Sequence, residues 1–289
     1  MLGSNTATGD ARSAPKAMSE AELAALRLEE GARVAEVDGR FWVETFRGFY
    51  QPIHQLAEHR YSDVRRPAIP CWGYRSVLVP EDRGLGNGAY PVHLDEDFRS
   101  WTSRRFEESR RRDLRRCERT IEISSTRDPE PFLADGWAVY ASTQDRIGLH
   151  KTSRDRYLRD IAGHVADERR LFVAGFLEGR LVGYMESYVV DRVLYGRDLY
   201  VRNEAVTTGI ATGLYHRTFE IAAAAGVADR LCLGPEHRER TGLAFFKKTM
   251  GVGVVHLPTR VVIPGPVRGV MRRLRPAAFY RITGQEVAA

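Results

Sequence analysis

Three β-type runs that follow one another closely constrain the fold of this chain most strongly. Residues 170–178, 180–190 and 192–201 are separated only by Gly179 and Asp191. Connections this short join antiparallel neighbours, because two parallel strands need a crossover of a dozen or more residues. The sequence therefore predicts an antiparallel meander in the second half of the chain.

Helices and further strands surround this meander in a regular order. The predicted elements are strands at 120–125 and 230–233 and helices at about 129–146, 153–167, 209–225 and 240–250, with two β runs after the last helix. In the long helix, Ile210, Leu214, Thr218 and Ile221 lie along one stripe, and Gly226 ends it. A meander that leads into a strand–helix–strand crossover excludes a doubly wound parallel sheet. We therefore predict an α/β (α+β) chain with a mixed, twisted sheet and flanking helices.

Composition divides the chain into four segments. Residues 1–18 are expected to be a disordered tail, residues 19–98 a smaller N-terminal α+β region, residues 99–263 the main domain and residues 264–289 a basic C-terminal tail. No apolar run approaches the ~18 residues of a membrane span, and the three scattered cysteines lack zinc-site spacing. A reducing, cytoplasmic setting is the expectation.

Positive charge is concentrated in two arginine-rich stretches. All but four of the 44 basic residues are arginine; nine arginines from Arg99 to Arg119 accompany four acids, and six from Arg260 to Arg281 accompany none. Such patches suit an anionic partner, for example RNA, a phosphorylated cofactor or an acidic carrier protein. An arginine-rich solvated surface is the equally compatible alternative. The candidate docking residues are Arg104, Arg111, Arg112, Arg115 and Arg116.

The start of the long helix is a candidate anion site. The strand at 192–201 leads through a turn into a helix N-terminus, where backbone amides are unpaired and the helix dipole is positive. Gly209 lacks the side chain that would block close approach of a ligand. The residues predicted to hold a phosphorylated donor are Val201, Thr207, Thr208, Gly209, Ile210, Ala211 and Thr212.

Four residues are candidates for the chemistry itself. Asp198 lies in the strand that leads to the anion site, and its carboxylate is a candidate proton acceptor; an ion pair with Arg197 or Arg202 is its alternative role. Glu186, on the neighbouring strand, offers the same chemistry. An ammonium group from Lys247 would stabilise an oxyanion or a phosphate, or Lys247 is a solvated helix residue. His237 titrates in the useful range, although an isolated loop histidine is more often incidental.

These motifs resemble those of the GNAT acyltransferases. The pyrophosphate loop of that family has the pattern Gln/Arg-x-x-Gly-x-Gly/Ala. Gly209 and Ala211 match its last two specified positions, whereas Val206 stands where Gln or Arg is expected, so one side-chain contact to the phosphates is missing. The order of elements over residues 100–263 is also that of the GNAT fold. The resemblance implies an acyl-CoA or phosphopantetheine donor and a carboxylate base at Asp198.

Two other stretches resemble the Fem-type transferases, which add amino acids from aminoacyl-tRNA to peptidoglycan precursors. Phe246 and Lys247, followed by Gly251, stand where typical GNAT enzymes have a Phe-Tyr pair whose tyrosine is the general acid. The basic helix within residues 103–123 is similar to one that those families place before the first strand of the transferase domain.

The predicted function is transfer of an acyl group to an amine-bearing small molecule, with formation of an amide. The preferred donor is a thioester on a phosphopantetheine arm, carried by coenzyme A or by an acidic carrier protein, that lies between the strands at 192–201 and 230–233. Aminoacyl-tRNA is the alternative donor, and a non-catalytic binding protein with a degenerate fold is the third possibility. The chain has no Gly-Lys-Ser/Thr loop, GxSxG elbow, HExxH motif or evident acidic cluster, and no standard nucleic-acid-binding signature. Neither a metal nor DNA is expected.

Overall fold

Eight α-helices and twelve β-strands make up the part of the chain that the structure, a computed structural model, describes: residues 14–67 and 70–286. The helices are α1 (Glu20–Glu29), α2 (Glu108–Thr120), α3 (Trp137–Ile147), α4 (Arg154–Ala166), α5 (Ile210–Ala224), α6 (Thr241–Thr249), α7 (Gly265–Leu274) and α8 (Pro276–Thr283). The strands are β1 (Val34–Val37), β2 (Arg40–Phe46), β3 (Phe49–Pro52), β4 (Glu58–His59), β5 (Gly73–Leu78), β6 (Gly88–Asp95), β7 (Glu122–Ser125), β8 (Arg170–Leu177), β9 (Arg180–Val190), β10 (Val193–Val201), β11 (Arg230–Pro235) and β12 (Val254–Val262).

The chain divides into two units. The first contains Asp95–Leu233 and Thr249–Val252, together with the described residues up to Ala17. The second contains Met18–Leu94 and Gly234–Lys248, and it continues from Gly253 to the end of the described chain. The second unit is therefore built from three separate stretches of sequence.

This division differs from the predicted segments. Residues 99–263 do not form one unit, because β12 pairs antiparallel with β5 and β6 and so belongs to the second. The predicted basic tail, 264–289, contributes α7 and α8 to the same unit. Of the predicted disordered tail, residues 1–13 lie outside the described residues, and the Lys16 N–H donates a 2.8 Å hydrogen bond to the Glu168 carbonyl.

The predicted meander forms the sheet of the first unit. Its strand order is β11-β10-β9-β8-β7, with antiparallel pairing from β7 to β10 and parallel pairing between β10 and β11. Helix α5 is the crossover between the two parallel strands, as a parallel pair requires. The predicted mixed sheet with an antiparallel meander and flanking helices is confirmed.

The two faces of this sheet carry different helices. On one face, Gly175 and Gly183 leave room for Ile210, the first residue of α5, which is fully buried. Side chains alternate between faces along a strand, so Tyr184 points to the opposite face. There it belongs to an apolar cluster with Tyr157 and Ile161 of α4. The sheet therefore separates an α5 face from an α3/α4 face.

The second unit has its own sheet. The strand order is β1-β2-β3-β5-β12-β6, and β4 pairs with β5 outside this path. The N-terminal helix α1 begins with the capping box of Ser19 and Glu22. Helix α7 packs against an apolar cluster that includes Phe49 of β3 and Val261 of β12. Residues separated by about two hundred positions in sequence thus share one core.

Candidate active site

A bulge in β10 places two consecutive charged residues on one side of the sheet. The β9–β10 register shifts between Gly196 and Asp198, so Arg197 is the extra residue of the bulge. Arg197 and Asp198 both line a cleft on the α3/α4 face. The paired register between β10 and β11 ends at Tyr195, just before the bulge. β10 and β11, the two strands between which the donor is predicted to lie, therefore stop pairing shortly before Asp198.

The cleft has a volume of about 690 Å³ and is lined by the first unit alone. It is bounded by α3, α4, the loop between them, and the middle of β9 and β10. Four tyrosines form much of its wall, and three carboxylates and several basic groups complete it. Its lining includes Tyr140, Tyr157, Tyr184, Tyr200, Asp160, Glu186, Asp198, His150, Lys151, Arg156, His164 and Arg197.

The structure brings the predicted residues Glu186 and Asp198 together, as Cα partners across β9 and β10. Glu186 is 6% exposed and accepts hydrogen bonds from Arg170 and, at 3.0 Å, from Arg197. The Asp198 side chain is 40% exposed, and its Oδ2 lies 3.4 Å from Nε of Arg197. Because Glu186 is enclosed by two guanidinium groups, Asp198 is the carboxylate of this pair that a substrate in the cleft can reach.

The tyrosines of the cleft were not among the predicted site residues. Tyr157 and Tyr184 form a buried hydroxyl pair with an Oη–Oη distance of 3.0 Å. Burial raises the pKa of both, and burial with the nearby charge of Asp198 raises the pKa of Tyr200. All three therefore remain neutral hydroxyls. The alternation of side chains along a strand could have predicted them, because it places Tyr184 on the same face as Glu186 and Tyr200 on the same face as Asp198.

The N-terminus of α5 is built differently from the prediction. Residues 203–208 form a 3₁₀ helix, and Gly209, with φ of +85°, is the N-cap of α5, without a side-chain cap. A Cβ on Gly209 would collide with the backbone carbonyl of Asp113 in α2. The glycine is therefore required by close packing of α2 on the loop, and not by the approach of a ligand at that point.

Two other residues that were predicted to contact the donor form hydrogen bonds within the protein instead. The Val201 N–H donates to Oγ1 of Thr143, and the Val201 carbonyl accepts from the Thr143 hydroxyl and from Arg146, at 2.7 to 3.0 Å. Val201 therefore has no main-chain group left for a cofactor. The Thr208 hydroxyl donates to the Ala205 carbonyl at 2.7 Å.

The side chains at the start of α5 divide between the core and the surface. Those of Ile210 and Thr212 are buried, so neither can contact a bound donor. Thr207 is exposed and Ala211 is half-buried. The surface offered to a donor at this helix end therefore consists of Thr207, Ala211 and the backbone amides of the first turn.

Helix α2 places arginine side chains next to this surface. A second cleft, of about 520 Å³, is lined by one face of the helix: Ser109, Arg110, Arg112, Asp113, Arg115, Arg116 and Arg119. Asp113, whose backbone contacts Gly209, accepts from Arg110 and Arg116. The arginine cleft therefore adjoins the N-terminus of α5.

The predicted docking arginines are not equivalent. Arg111 donates to the carbonyls of Phe106 and Arg104 and pairs with Glu108, so it holds the start of α2 in place. Arg115 also pairs with Glu108. Within residues 14–67 and 70–286, Arg104, Arg112 and Arg119 form no ion pair. Arg110 and Arg119 line the cleft, and the sequence prediction did not include them.

Lys247 and His237 lie in the second unit. Lys247 is 5% exposed, in contrast to the exposed Lys248. Burial and the charge of Arg281 lower the pKa of His237, and Lys247 contributes to the same effect. The two residues are thus near each other, and their catalytic roles stay predictions. Among the described residues, no group of His, Cys, Asp and Glu could hold a metal ion. No helix in that part of the chain is long and apolar enough to cross a membrane.

Comparisons with known proteins match part of this chain to a family and most of it to solved folds. Residues 136–252 match the family model described as "Acetyltransferase (GNAT) family". No curated protein matches the sequence. The C-terminal domain of a putative lysylphosphatidylglycerol synthetase from Agrobacterium fabrum is similar in structure, with a TM-score of 0.59 at 12% identity over 92% of this chain and 98% of that one.

Two other solved structures are similar over nearly the whole chain. FemX has a TM-score of 0.58 at 12% identity, with 92% of this chain and 96% of FemX covered. L-PGS from Bacillus licheniformis has a TM-score of 0.55 at 12% identity, with 93% of each chain covered. At this identity the likeness concerns the fold. Residues 136–252 therefore match the GNAT acetyltransferase family, and the chain as a whole shares its fold with FemX.

Proposed function

We propose that the protein joins an acyl group to an amine held in the tyrosine-lined cleft, and that the acyl donor is an aminoacyl-tRNA. The observation that carries this proposal is the arrangement on the two faces of one sheet. The partly exposed carboxylate of Asp198 lies on the α3/α4 face, and the arginine cleft of α2 adjoins the N-terminus of α5 on the other.

Asp198 is assigned the proton transfers. The amine nitrogen attacks the acyl carbonyl carbon, and Asp198 takes the proton that the nitrogen loses, directly or through one water. The bond from the acyl carbon to the ribose oxygen of the tRNA then breaks. Asp198 returns the proton to that oxygen, so an ester and an amine become an amide and an alcohol. Arg197, held by Glu186, fixes the position of the Asp198 carboxylate.

The choice of donor rests on charge and on overall fold. Helix α2 carries six arginines, two of which, Arg112 and Arg119, form no ion pair within residues 14–67 and 70–286 and can meet a polyanion that extends beyond the site. Val206 leaves the loop without the side chain that would contact a small pyrophosphate. The fold likeness to FemX and to L-PGS extends over more than 90% of the chain. These points favour an aminoacyl-tRNA over the thioester donor that the sequence alone favours, and the thioester becomes an outcome of the test.

The test follows labelled acyl groups. Total tRNA charged with radiolabelled amino acids, and separately a labelled acyl-CoA, are incubated with the protein and a pool of amines. Mild alkali then destroys esters and thioesters but leaves amides. We expect alkali-stable label from the charged tRNA only. Stable label from acyl-CoA alone would overturn the choice of donor, and none from either would overturn the proposed activity.

Charge reversal tests the docking surface. Arg112→Glu with Arg119→Glu should weaken tRNA binding at least about tenfold, and the wild-type affinity should fall steeply between ~50 and ~200 mM salt. The matched control is Arg154→Glu with Arg159→Glu, on exposed positions of α4 that line neither cleft. Equal losses in both double variants would show that binding to α2 is not specific.

A further inference from the structure

Helix α7 of the second unit carries charge that nothing in the described chain neutralises. Its sequence, GPVRGVMRRL, contains Arg268, Arg272 and Arg273, and Arg275 follows directly. No acidic residue lies between Arg260 and Arg281. Within residues 14–67 and 70–286, none of these four arginines forms an ion pair. Neighbouring basic residues without acids favour an anionic partner.

The same helix exposes two aliphatic side chains. Val267 and Met271 pack inward, against the cluster that includes Phe49 and Val261. Val270 and Leu274, one turn apart, are 58% and 67% exposed. At 100° per residue these four side chains form one continuous apolar stripe. The second unit covers only half of that stripe. At the same 100° per residue, Arg273 flanks the open half, and Arg268 and Arg272 lie beyond the covered half.

This combination selects one kind of partner. A helix that lies in a membrane interface places aliphatic side chains at the boundary of headgroups and acyl chains, and its basic side chains bind lipid phosphates. An RNA would use the arginines, but it offers no apolar surface for Val270 and Leu274. We propose that α7 docks the second unit onto the surface of a bilayer that contains anionic lipids. This inference does not depend on the proposed enzymatic function.

Vesicle sedimentation tests the proposal with the full chain. The probes are vesicles of phosphatidylcholine alone and of equimolar phosphatidylcholine and phosphatidylglycerol. We expect binding to the anionic vesicles only. Arg272→Glu with Arg273→Glu should lower the partition coefficient by about 20-fold or more, since each arginine near such a surface contributes about a factor of five. Arg154→Glu with Arg159→Glu, on exposed positions of α4, is the charge-matched control and should leave binding unchanged.

A second pair of variants separates lipid from RNA. Val270→Ser with Leu274→Ser keeps every charge and should weaken vesicle binding about tenfold, whereas Leu28→Ser, at an exposed position of α1, should not. All substituted side chains are exposed, so thermal unfolding should be unchanged. Binding to vesicles that is equal for wild type and both α7 variants would overturn the proposal. So would binding of tRNA, but not of vesicles, that depends on Arg272 and Arg273.

Discussion

Replacing Gly209 by alanine tests how the loop before α5 is built. The backbone at Gly209 has φ of +85°, which costs a residue with a Cβ about 1–2 kcal/mol. The added methyl would also collide with the carbonyl oxygen, carbonyl carbon and Cα of Asp113. Asp113 lies in the middle of α2, so relief requires the helix to move. We expect a total loss of about 2–4 kcal/mol in the free energy of unfolding.

Gly226 supplies a matched control on the other end of α5. Its φ is +62°, and a Cβ there meets nothing within 4 Å. Gly226→Ala should therefore show the conformational cost alone, about 1 kcal/mol. Urea unfolding measures both variants, and hydrogen exchange of α2 amides should accelerate in Gly209→Ala only. Equal losses in the two variants, with unchanged exchange in α2, would refute the packing of α2 against this loop.

Three further predictions concern buried polar groups. Burial, and then the charge of Arg40, lower the pKa of His59 from 6.5 to about 4. As pH falls from 6.5 to 4, the unfolded chain takes up a proton that the folded chain does not, so the free energy of unfolding should drop by up to about 3 kcal/mol. His59→Gln should flatten this dependence on pH when unfolding is measured by urea titration. Thr143→Val leaves the Val201 N–H without its partner and should cost about 1–3 kcal/mol, whereas Thr143→Ser should cost less than half as much; an equal loss would contradict the assigned hydrogen bond. Tyr157→Phe breaks the buried hydroxyl pair with Tyr184 and should lower stability by about 1–2 kcal/mol in thermal unfolding, and no change would contradict that pair.

Local patterns were sufficient to predict much of the first unit. Short connections determine the antiparallel order of β8, β9 and β10, and a helix between β10 and β11 requires them to be parallel. Asp198 and Glu186 were predicted from neighbouring strands, and the antiparallel register makes them Cα partners; their catalytic roles stay predictions.

Contacts between distant residues could not be predicted in this way. β12 pairs with β5, which lies almost two hundred positions earlier in sequence. No local sequence pattern therefore indicates that β12 lies outside the predicted main domain. The Val201 N–H donates its hydrogen bond to Thr143, which lies on a helix 58 positions earlier in sequence. Gly209 was predicted to allow close approach of a ligand, whereas a Cβ there would meet the backbone of Asp113, on a helix whose packing the sequence does not reveal.

The pH dependence of acyl transfer in Asp198→Asn tests the central claim most directly. Formation of alkali-stable amide is measured from neutral to high pH, with Asp160→Asn as the control, because Asp160 lines the same cleft and pairs with Arg156. The account predicts that Asp198→Asn lowers turnover about 10²–10⁴-fold at neutral pH. The loss should shrink as pH rises, since the free amine no longer needs a base, and Asp160→Asn should retain most activity. A loss in Asp198→Asn that does not change with pH, or an equal loss in Asp160→Asn, would contradict Asp198 as the base.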